Sequence, residues 1–293
     1  MASRNRVNAG AVAQTAPRSR RPKLGQNFLA DRGTAERIVA ALGDISGRTV
    51  LEIGPGKGVL TDLLARRAAR LVAIELDRVL AAQLRMRYGA RRAVEIIEGD
   101  VLAIDLGAVI EARRPGALAG LAPVTPAPVR VAGNIPYYIT SDILLRLFEF
   151  HRYFDQIVIM VQKEVADRIA AKPGGKEYGL LSATAQLYCK PEKLFTVPPG
   201  AFAPPPKVFS TVLRLTLAPQ FERLRVAEAE FIEFLRLSFG QKRKTLVNNL
   251  KAVYDPVAVK PALSKAGVRA DARAETLALE KAAAVFRQLV AND

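Results

Sequence analysis

A glycine-rich loop between a short apolar strand and a helix constrains this chain's fold more than any other feature. The sequence VLEIGPGKGVLT places Gly54, Gly56 and Gly58 directly after the apolar run 49–53. Glycine permits positive φ angles and lets the backbone approach a ligand closely. A strand, a glycine loop and a helix in this order are typical of nucleotide-binding α/β folds. We therefore expect a ligand at this loop.

Apolar strands alternate with amphipathic helices from residue 34 to residue 162. This alternation predicts a parallel sheet with helices on both faces. The segment 115–128 is rich in Pro, Ala and Gly and is predicted to be a loop. The predicted strands are 49–53, 71–74, 94–98, 129–132 and 156–162, and the predicted helices are 34–42, 60–70, 78–88 and 141–150.

Composition divides the chain into three parts. Residues 1–22 are basic, contain no acid and lack a hydrophobic period, which predicts a disordered tail. We expect an α/β domain over 23–218 and a small all-helical domain over 219–293. An Arg-rich leader also resembles an organelle transit peptide, but we favour an RNA-contacting tail on a cytoplasmic protein. The predicted C-terminal helices are 227–239, 242–254, 256–266 and 274–291.

The charge balance indicates a polyanionic partner. Lys and Arg total 44 against 28 Asp and Glu, a formal net charge of +16, and such an excess favours nucleic-acid binding. The single cysteine and single histidine, Cys189 and His151, argue against a zinc site or a Ser-His-Asp hydrolase. No apolar run reaches the roughly 18 residues of a membrane span. We expect a monomer that binds RNA without a metal or a membrane.

Acidic residues follow the predicted strands at the same edge of the sheet. Glu75 ends the second strand, where its carboxylate can accept hydrogen bonds from both ribose hydroxyls of a nucleoside. Asp100 follows the third strand, where it can bind an adenine edge. Glu52 lies just before the glycine loop and adds a further negative charge. These acids predict a nucleoside ligand that carries positive charge.

The loop spacing distinguishes between two nucleoside cofactors. It is G-x-G-x-G and not G-x-G-x-x-G, and Pro55 removes an N–H group that would face a pyrophosphate. The charge of Glu52 would also repel a diphosphate. S-adenosylmethionine has a sulfonium and an ammonium group but no phosphate, so it fits better. A nucleotide-dependent oxidoreductase is the disfavoured alternative.

The stretch VAGNIPYYIT places polar and aromatic groups at the end of the fourth strand. If a methyl donor lies across the strand ends, Asn134 faces its methyl group. The Asn134 side-chain oxygen and the Ile135 or Pro136 carbonyl can then accept hydrogen bonds from an adenine amine, and Tyr137 can stack on the base, at about 1–3 kcal/mol per base. Alignment and polarisation then replace a strong base. We therefore expect methyl transfer to adenine.

The order of motifs resembles one enzyme family from about Lys23 onward. The chain is similar to the small-subunit ribosomal RNA adenine N6,N6-dimethyltransferases of the KsgA type. The resemblance implies a Rossmann-like class I methyltransferase domain, a helical domain and dimethylation of two adjacent adenosines near the RNA 3′ end. It rests on KLGQNFLAD, VLEIGPGKGVLT, AIELD, EGD, GNIPYYIT, QKEVADRI, KEYGLLS, VPPGAFAPPPKVFSTVLRL and FGQKRKTLVNNL.

The resemblance also implies site residues. One departure from the family is Tyr138, which stands where asparagine is common. The implied target-base residues are Asn134, Pro136, Tyr137 and Phe202; for Phe202 the alternative is a core phenylalanine beside the proline-rich loop. The implied cofactor residues are Gln26, Asn27, Leu29, Glu52, Gly54, Gly56, Glu75, Leu76, Asp100, Val101 and Asn134.

The segment QKRKTLVNNLK carries the predicted RNA contacts. Lys242, Arg243 and Lys244 are predicted at a helix start, where positive charge opposes the helix dipole unless phosphate is near. With Arg236 and Lys251 they form a predicted basic stripe that binds RNA backbone. A solvated charged face is the alternative.

Two further functions stay open from the sequence. The related class that methylates large-subunit RNA and confers macrolide resistance is a close competitor, although PPGAFAPPPKV and KEYGLLS favour the small-subunit function. A non-catalytic assembly factor that binds immature small subunits would use the same basic surface.

Overall fold

The computed structural model describes residues 27–113 and 128–291. The predicted basic tail and nearly all of the loop predicted over 115–128 lie outside these residues. The strands are β1 Phe28–Leu29, β2 Thr49–Ile53, β3 Arg70–Glu75, β4 Val94–Glu98, β5 Val129–Asn134, β6 Phe154–Gln162, β7 Cys189–Val197, β8 Phe202–Ala203 and β9 Ser210–Leu217. The helices are α1 Arg32–Ala41, α2 Val59–Arg67, α3 Arg78–Tyr88, α4 Leu106–Glu111, α5 Thr140–Glu149, α6 Lys163–Ile169, α7 Leu180–Tyr188, α8 Phe221–Leu224, α9 Glu228–Ser238, α10 Leu246–Leu250, α11 Pro256–Lys265 and α12 Leu279–Val290.

A seven-stranded sheet in the order β4-β3-β2-β5-β6-β9-β7 forms the centre of the larger part. Strands β2 to β6 pair in parallel, as the alternating pattern predicts, whereas β9 runs antiparallel to both β6 and β7. Apolar side chains of β2 enter separate clusters on the two faces, because Leu51 and Ile53 point to one side and Val50 to the other. The carboxyl ends of β2 to β5 therefore meet at one edge.

Several elements were not predicted. Helices α4, α6 and α7 fill segments that the sequence left unassigned. Strand β7 is an edge strand with Pro191 and the charged residues Lys190, Glu192 and Lys193, so it lacks the apolar run of a central strand. By pairing with β9, strand β7 covers the edge that β9 would otherwise expose.

Helices α8 to α12 pack around a second core. The rings of Phe231, Phe234 and Phe286 lie 5.4–5.8 Å from one another at its centre. Ala183 and Leu187 of α7 also belong to this core. Because α7 precedes residue 219 yet packs with the helical part, the boundary between 218 and 219 stays a prediction.

The helix predicted over 242–254 is wrong in extent. Helix α10 spans only Leu246–Leu250, and the Thr245 hydroxyl caps it by accepting from the Asn248 amide at 3.3 Å. Asp255 and Pro256 begin a new helix, which forces a break after α10. Lys242, Arg243 and Lys244 therefore lie in a turn before the helix. Among the described residues, no helix is long and apolar enough to cross a membrane.

Candidate active site

One cavity opens at the carboxyl edge of the sheet, where the predicted site residues meet. It encloses about 1010 Å³, including its opening to solvent. The glycine loop, the ends of β3 and β5, the turn after β4 and strand β1 all contribute to it. The predicted residues that line it are Asn27, Leu29, Glu52, Gly54, Gly56, Glu75, Leu76, Asp100, Val101, Asn134, Pro136 and Tyr137. Gln26 lies outside the described residues.

The glycine loop has the backbone conformation that its sequence predicts. Gly54 and Gly56 have φ angles of +64° and +56°, which side chains other than glycine rarely adopt. A Cβ atom on Gly56 would lie 3.0 Å from the Phe28 ring. The loop therefore offers bare backbone to a ligand, and a ring from β1 closes it from above.

Glu75 holds this loop in place. Its Oε2 accepts a hydrogen bond from the Gly56 amide and its Oε1 accepts one from the Asp77 amide, both at 2.9 Å. Burial raises the pKa of the Glu75 carboxyl, although these two bonds oppose the shift. Each oxygen keeps a second lone pair, so the carboxylate can still accept from a ligand hydroxyl.

The turn after β4 forms the next wall. Asp100 accepts a hydrogen bond from the Leu102 amide at 2.9 Å through Oδ1, which leaves Oδ2 to face a ligand. Val101 is buried beside it, whereas Leu76 at the end of β3 is 42% exposed. The Asp100 carboxylate can accept a hydrogen bond from the edge of an adenine ring, and the apolar side chains of Val101 and Leu76 can contact its faces.

Glu52 is a buried acid in the lining of the cavity. It is 1% exposed, and neither carboxyl oxygen has a hydrogen-bond partner among the described residues. Burial raises its pKa to about 8, and the nearby Glu75 and Asp62 carboxylates add to the shift. The Thr61 hydroxyl is close enough to oppose this shift, but its geometry falls short of a hydrogen bond. Burial therefore favours the protonated form of Glu52 in the ligand-free protein, whereas the sequence predicts a negative charge from its ordinary pKa.

These groups fit S-adenosylmethionine. Two glycines with positive φ expose the backbone, and a buried carboxyl without a partner faces the same cavity. An unpartnered buried carboxyl is costly, and a cationic ligand group would supply the missing partner. A pyrophosphate would meet the acidic side chains of Glu75 and Asp100, and Pro55 in the glycine loop has no N–H to donate to it.

The Asn134 side chain is held by the residue directly before strand β1. Its Nδ2 donates a hydrogen bond to the Asn27 carbonyl at 3.1 Å. Since a carbonyl can only accept, the amide nitrogen must face it, and the Asn134 oxygen is left as an acceptor. The Pro136 carbonyl instead accepts from the Thr140 hydroxyl at 3.2 Å and the Ile139 amide at 3.3 Å. The Ile135 carbonyl forms no comparable bond among the described residues.

The two predicted aromatic walls differ in position. Tyr137 lines the cavity half-buried, and its hydroxyl lies 2.6 Å from Ser210 Oγ. Burial raises the Tyr137 pKa, so the ring stays neutral. Phe202 is 4% exposed, pairs with Leu29 across β1 and β8, and packs in the core. The structure therefore brings Tyr137 but not Phe202 to the cavity.

Sequence reasoning missed several residues in or beside the cavity, among them Phe28, Lys57 and Ser210. Phe28 and Lys57 line the cavity, and the Lys57 ammonium lies 4.8 Å from the centre of the Phe28 ring. Phe28 lies between the predicted Asn27 and Leu29, so its position in GQNFL was the available signal. Ser210, fully buried at the start of β9, had no local signal because its partner is 73 residues away.

The predicted RNA contacts lie in the helical part, and all five are exposed. Arg236 on α9 has a weak ion pair with Glu233 at 3.7 Å. The buried Asn249 side chain donates to the carbonyls of Ser238 and Gln241 at 2.7 and 3.3 Å, which holds the basic turn against α9. The remaining predicted contacts, Lys242, Arg243, Lys244 and Lys251, lie in that turn or directly after α10. No group of three or more potential metal ligands occurs among the described residues.

The fold and the cavity together define a class. A parallel sheet with one inserted antiparallel strand, a glycine loop and strand-end acids make this an S-adenosylmethionine-dependent methyltransferase of class I. The model of the ribosomal RNA adenine dimethylase family matches residues 18–290. The chain belongs to that family.

Relatives and solved structures agree with this assignment. The chain is 58% identical to the ribosomal RNA small subunit methyltransferase A of Koribacter versatilis, over 95% of this chain and 98% of the relative. A dimethyladenosine transferase from Plasmodium falciparum is 26% identical with a TM-score of 0.68, over 90% of this chain and 96% of that structure. The 23S rRNA methyltransferase ErmE is 28% identical with a TM-score of 0.64, over 90% and 100%.

Proposed function

We propose that the protein transfers methyl groups from S-adenosylmethionine to N6 of two adjacent adenosines near the 3′ end of small-subunit ribosomal RNA. One observation carries the chemistry: the cavity that contains Glu75 and Asp100 also contains Asn134 and Tyr137. Donor and acceptor groups can therefore share one space. The name of the 58% identical relative supports the small subunit.

The donor half of the cavity binds the cofactor. When bound, S-adenosylmethionine supplies a methyl group on a sulfonium sulfur. Glu75 would accept from the ribose hydroxyls through its remaining lone pairs, and Asp100 would accept from the adenine amine. Glu52, which is 1% exposed, would face a cationic group of the ligand.

The acceptor half binds the target amine. The Asn134 oxygen and the Ile135 carbonyl accept its two N–H groups, because the Pro136 carbonyl is already occupied by Thr140 and Ile139. Polarised in this way, N6 would be a better nucleophile for the methyl group that a bound S-adenosylmethionine would supply. The proton released from the amine would pass to solvent, so no strong base would be required.

Aromatic contacts hold the target base. Tyr137 stacks on the adenine, which must leave any RNA stack to enter. Our prediction that Phe202 forms the second wall requires its ring to leave the core, since it packs there against Leu29.

The basic turn of the helical part binds the RNA backbone. The Asn249 bonds support this because they hold Lys242, Arg243 and Lys244 as one surface. Each phosphate contact steepens the salt dependence of binding without reading sequence. Replacing all three residues by alanine should weaken RNA binding and make its dependence on salt concentration less steep than in the wild type. Weaker binding with an unchanged salt dependence would contradict this assignment.

Mass spectrometry of ribosomal RNA tests the function. Small-subunit RNA from cells that lack this protein should lack the dimethylated adenosine pair, and the purified protein should restore it with labelled cofactor. Large-subunit RNA in a parallel reaction is the control. Methylation of large-subunit RNA alone would overturn the proposal in favour of the macrolide-resistance type.

A further inference from the structure

Two aromatic rings are exposed at the sheet edge that carries the active site. Tyr138 is 61% exposed and Phe209 is 51% exposed. The other large hydrophobic side chains that are exposed in the described part of the chain are all aliphatic. Exposed aromatic rings are unfavourable in water, and they are enriched where a partner covers them.

One hydrogen bond brings the two segments together. Tyr138 follows Tyr137 and Phe209 precedes Ser210, and the Tyr137 hydroxyl lies 2.6 Å from Ser210 Oγ. Tyr138 itself lines the cavity. The Phe209 carbonyl accepts from the Lys163 amide at 3.0 Å, which continues the β6–β9 ladder by one step. Phe209 therefore lies at the carboxyl end of β6, at the same edge as the target-base site.

Positive charge accompanies these rings. Lys207, two residues before Phe209, is exposed and forms no ion pair within 27–113 or 128–291. Lys163 is also exposed, although it pairs with Asp167 at 2.7 Å. Aromatic faces next to an unpaired cation suit single-stranded nucleic acid, whose bases stack and whose phosphates need a counter-charge.

We propose that Tyr138 and Phe209 form an aromatic rim that stacks the nucleotides flanking the target adenosine. This inference rests on the proposed function and names its specificity-determining contacts. Tyr137 is half-buried inside the cavity, where we propose that it stacks on the target adenine. Tyr138, the next residue in the chain, is therefore positioned to stack on a flanking base. Stacking tolerates any base identity, so the rim recognises an unpaired strand and not a sequence.

The rim can be tested with matched variants. Tyr138→Ala and Phe209→Ala should each raise the KM for small-subunit RNA about fivefold or more. The dissociation constant for S-adenosylmethionine should stay unchanged by calorimetry. Tyr138→Phe should retain the wild-type KM because the ring face is kept. Val257→Ala, which removes part of another exposed apolar side chain in the helical part, is the control.

An altered substrate makes the test specific to the flanking bases. RNA with an abasic nucleotide on one side of the target should show the same loss with wild-type protein. The alanine variant of one ring should add nothing to that loss, whereas the variant of the other ring should multiply it, and moving the abasic nucleotide to the other side should exchange the two rings. Losses that multiply for both variants on both abasic RNAs, or an unchanged KM on intact RNA, would overturn the rim. Failure of wild-type protein to methylate any small-subunit adenosine would instead refute the proposed function.

Discussion

Replacing Glu52 by glutamine tests the electrostatics of the site most directly. The substitution keeps the size of the side chain and removes its ability to ionise. Glu52 is 1% exposed, has no hydrogen-bond partner among the described residues, and has its pKa raised from 4.5 to about 8. Burial is the main cause, so the effect belongs to the folded state and disappears on unfolding.

The direction of the pH dependence follows from proton binding. Above pH 4.5 the unfolded chain releases the Glu52 proton, whereas the folded protein keeps it until about pH 8. The free energy of unfolding therefore falls as pH rises through this window, by about 1.4 kcal/mol per pH unit. Between pH 4.5 and pH 7 the loss amounts to about 3 kcal/mol, and above pH 8 it levels off.

Urea unfolding from pH 5 to pH 8.5 measures this slope. Glu52→Gln should match the wild type near pH 5 and exceed its stability by a few kcal/mol near pH 8. The exposed Glu230→Gln is the control and should follow the wild type. Parallel curves for the wild type and Glu52→Gln across this range would refute the reasoning. Calorimetry should also show proton release on cofactor binding near pH 7 by the wild type and none by the variant.

Four further substitutions test the acceptor site, the base wall and the loop. Asn134→Ala should lower methylation about 10²–10³-fold and leave small-subunit binding within about twofold; equal loss of both would assign Asn134 to RNA binding. Tyr137→Phe and Ser210→Ala should each lower the free energy of unfolding, measured by urea titration, by about 1–3 kcal/mol, because each removes one partner of the same hydrogen bond. The double variant should lose no more stability than either single variant. Additive losses would contradict the hydrogen bond. Gly56→Ala should lower the free energy of unfolding by about 1–2 kcal/mol and weaken cofactor binding in calorimetry, because φ at Gly56 is +56° and the Phe28 ring blocks a Cβ atom. The control is Gly47→Ala, because the space around Gly47 is open. Equal effects of the two substitutions would contradict this account.

Local sequence was sufficient to predict many of the residues that line the cavity. Gly54, Gly56, Glu75 and Asp100 each lie at or just after the end of a strand whose apolar run is readable, and parallel strands bring their carboxyl ends to one edge. Asn134 was found in the same way at the end of β5. Covalent adjacency to a strand was enough to place these residues.

The tertiary structure decided what depends on distant contacts or on removal of water. Phe202 was predicted at the base site, but its pairing with Leu29 buries the ring in the core. Ser210 reaches Tyr137 only because β9 inserts antiparallel beside β6. Residues far apart in the chain meet through packing, which no local pattern encodes.

The ionisation of Glu52 illustrates the same division. The sequence alone determined that a carboxyl precedes the glycine loop, and its charge was expected from its ordinary pKa. Only the fold excludes water from it and leaves both oxygens without a partner, which raises its pKa to about 8. A side chain's identity is set by the chain, whereas its protonation state is set by the solvent that the folded protein admits.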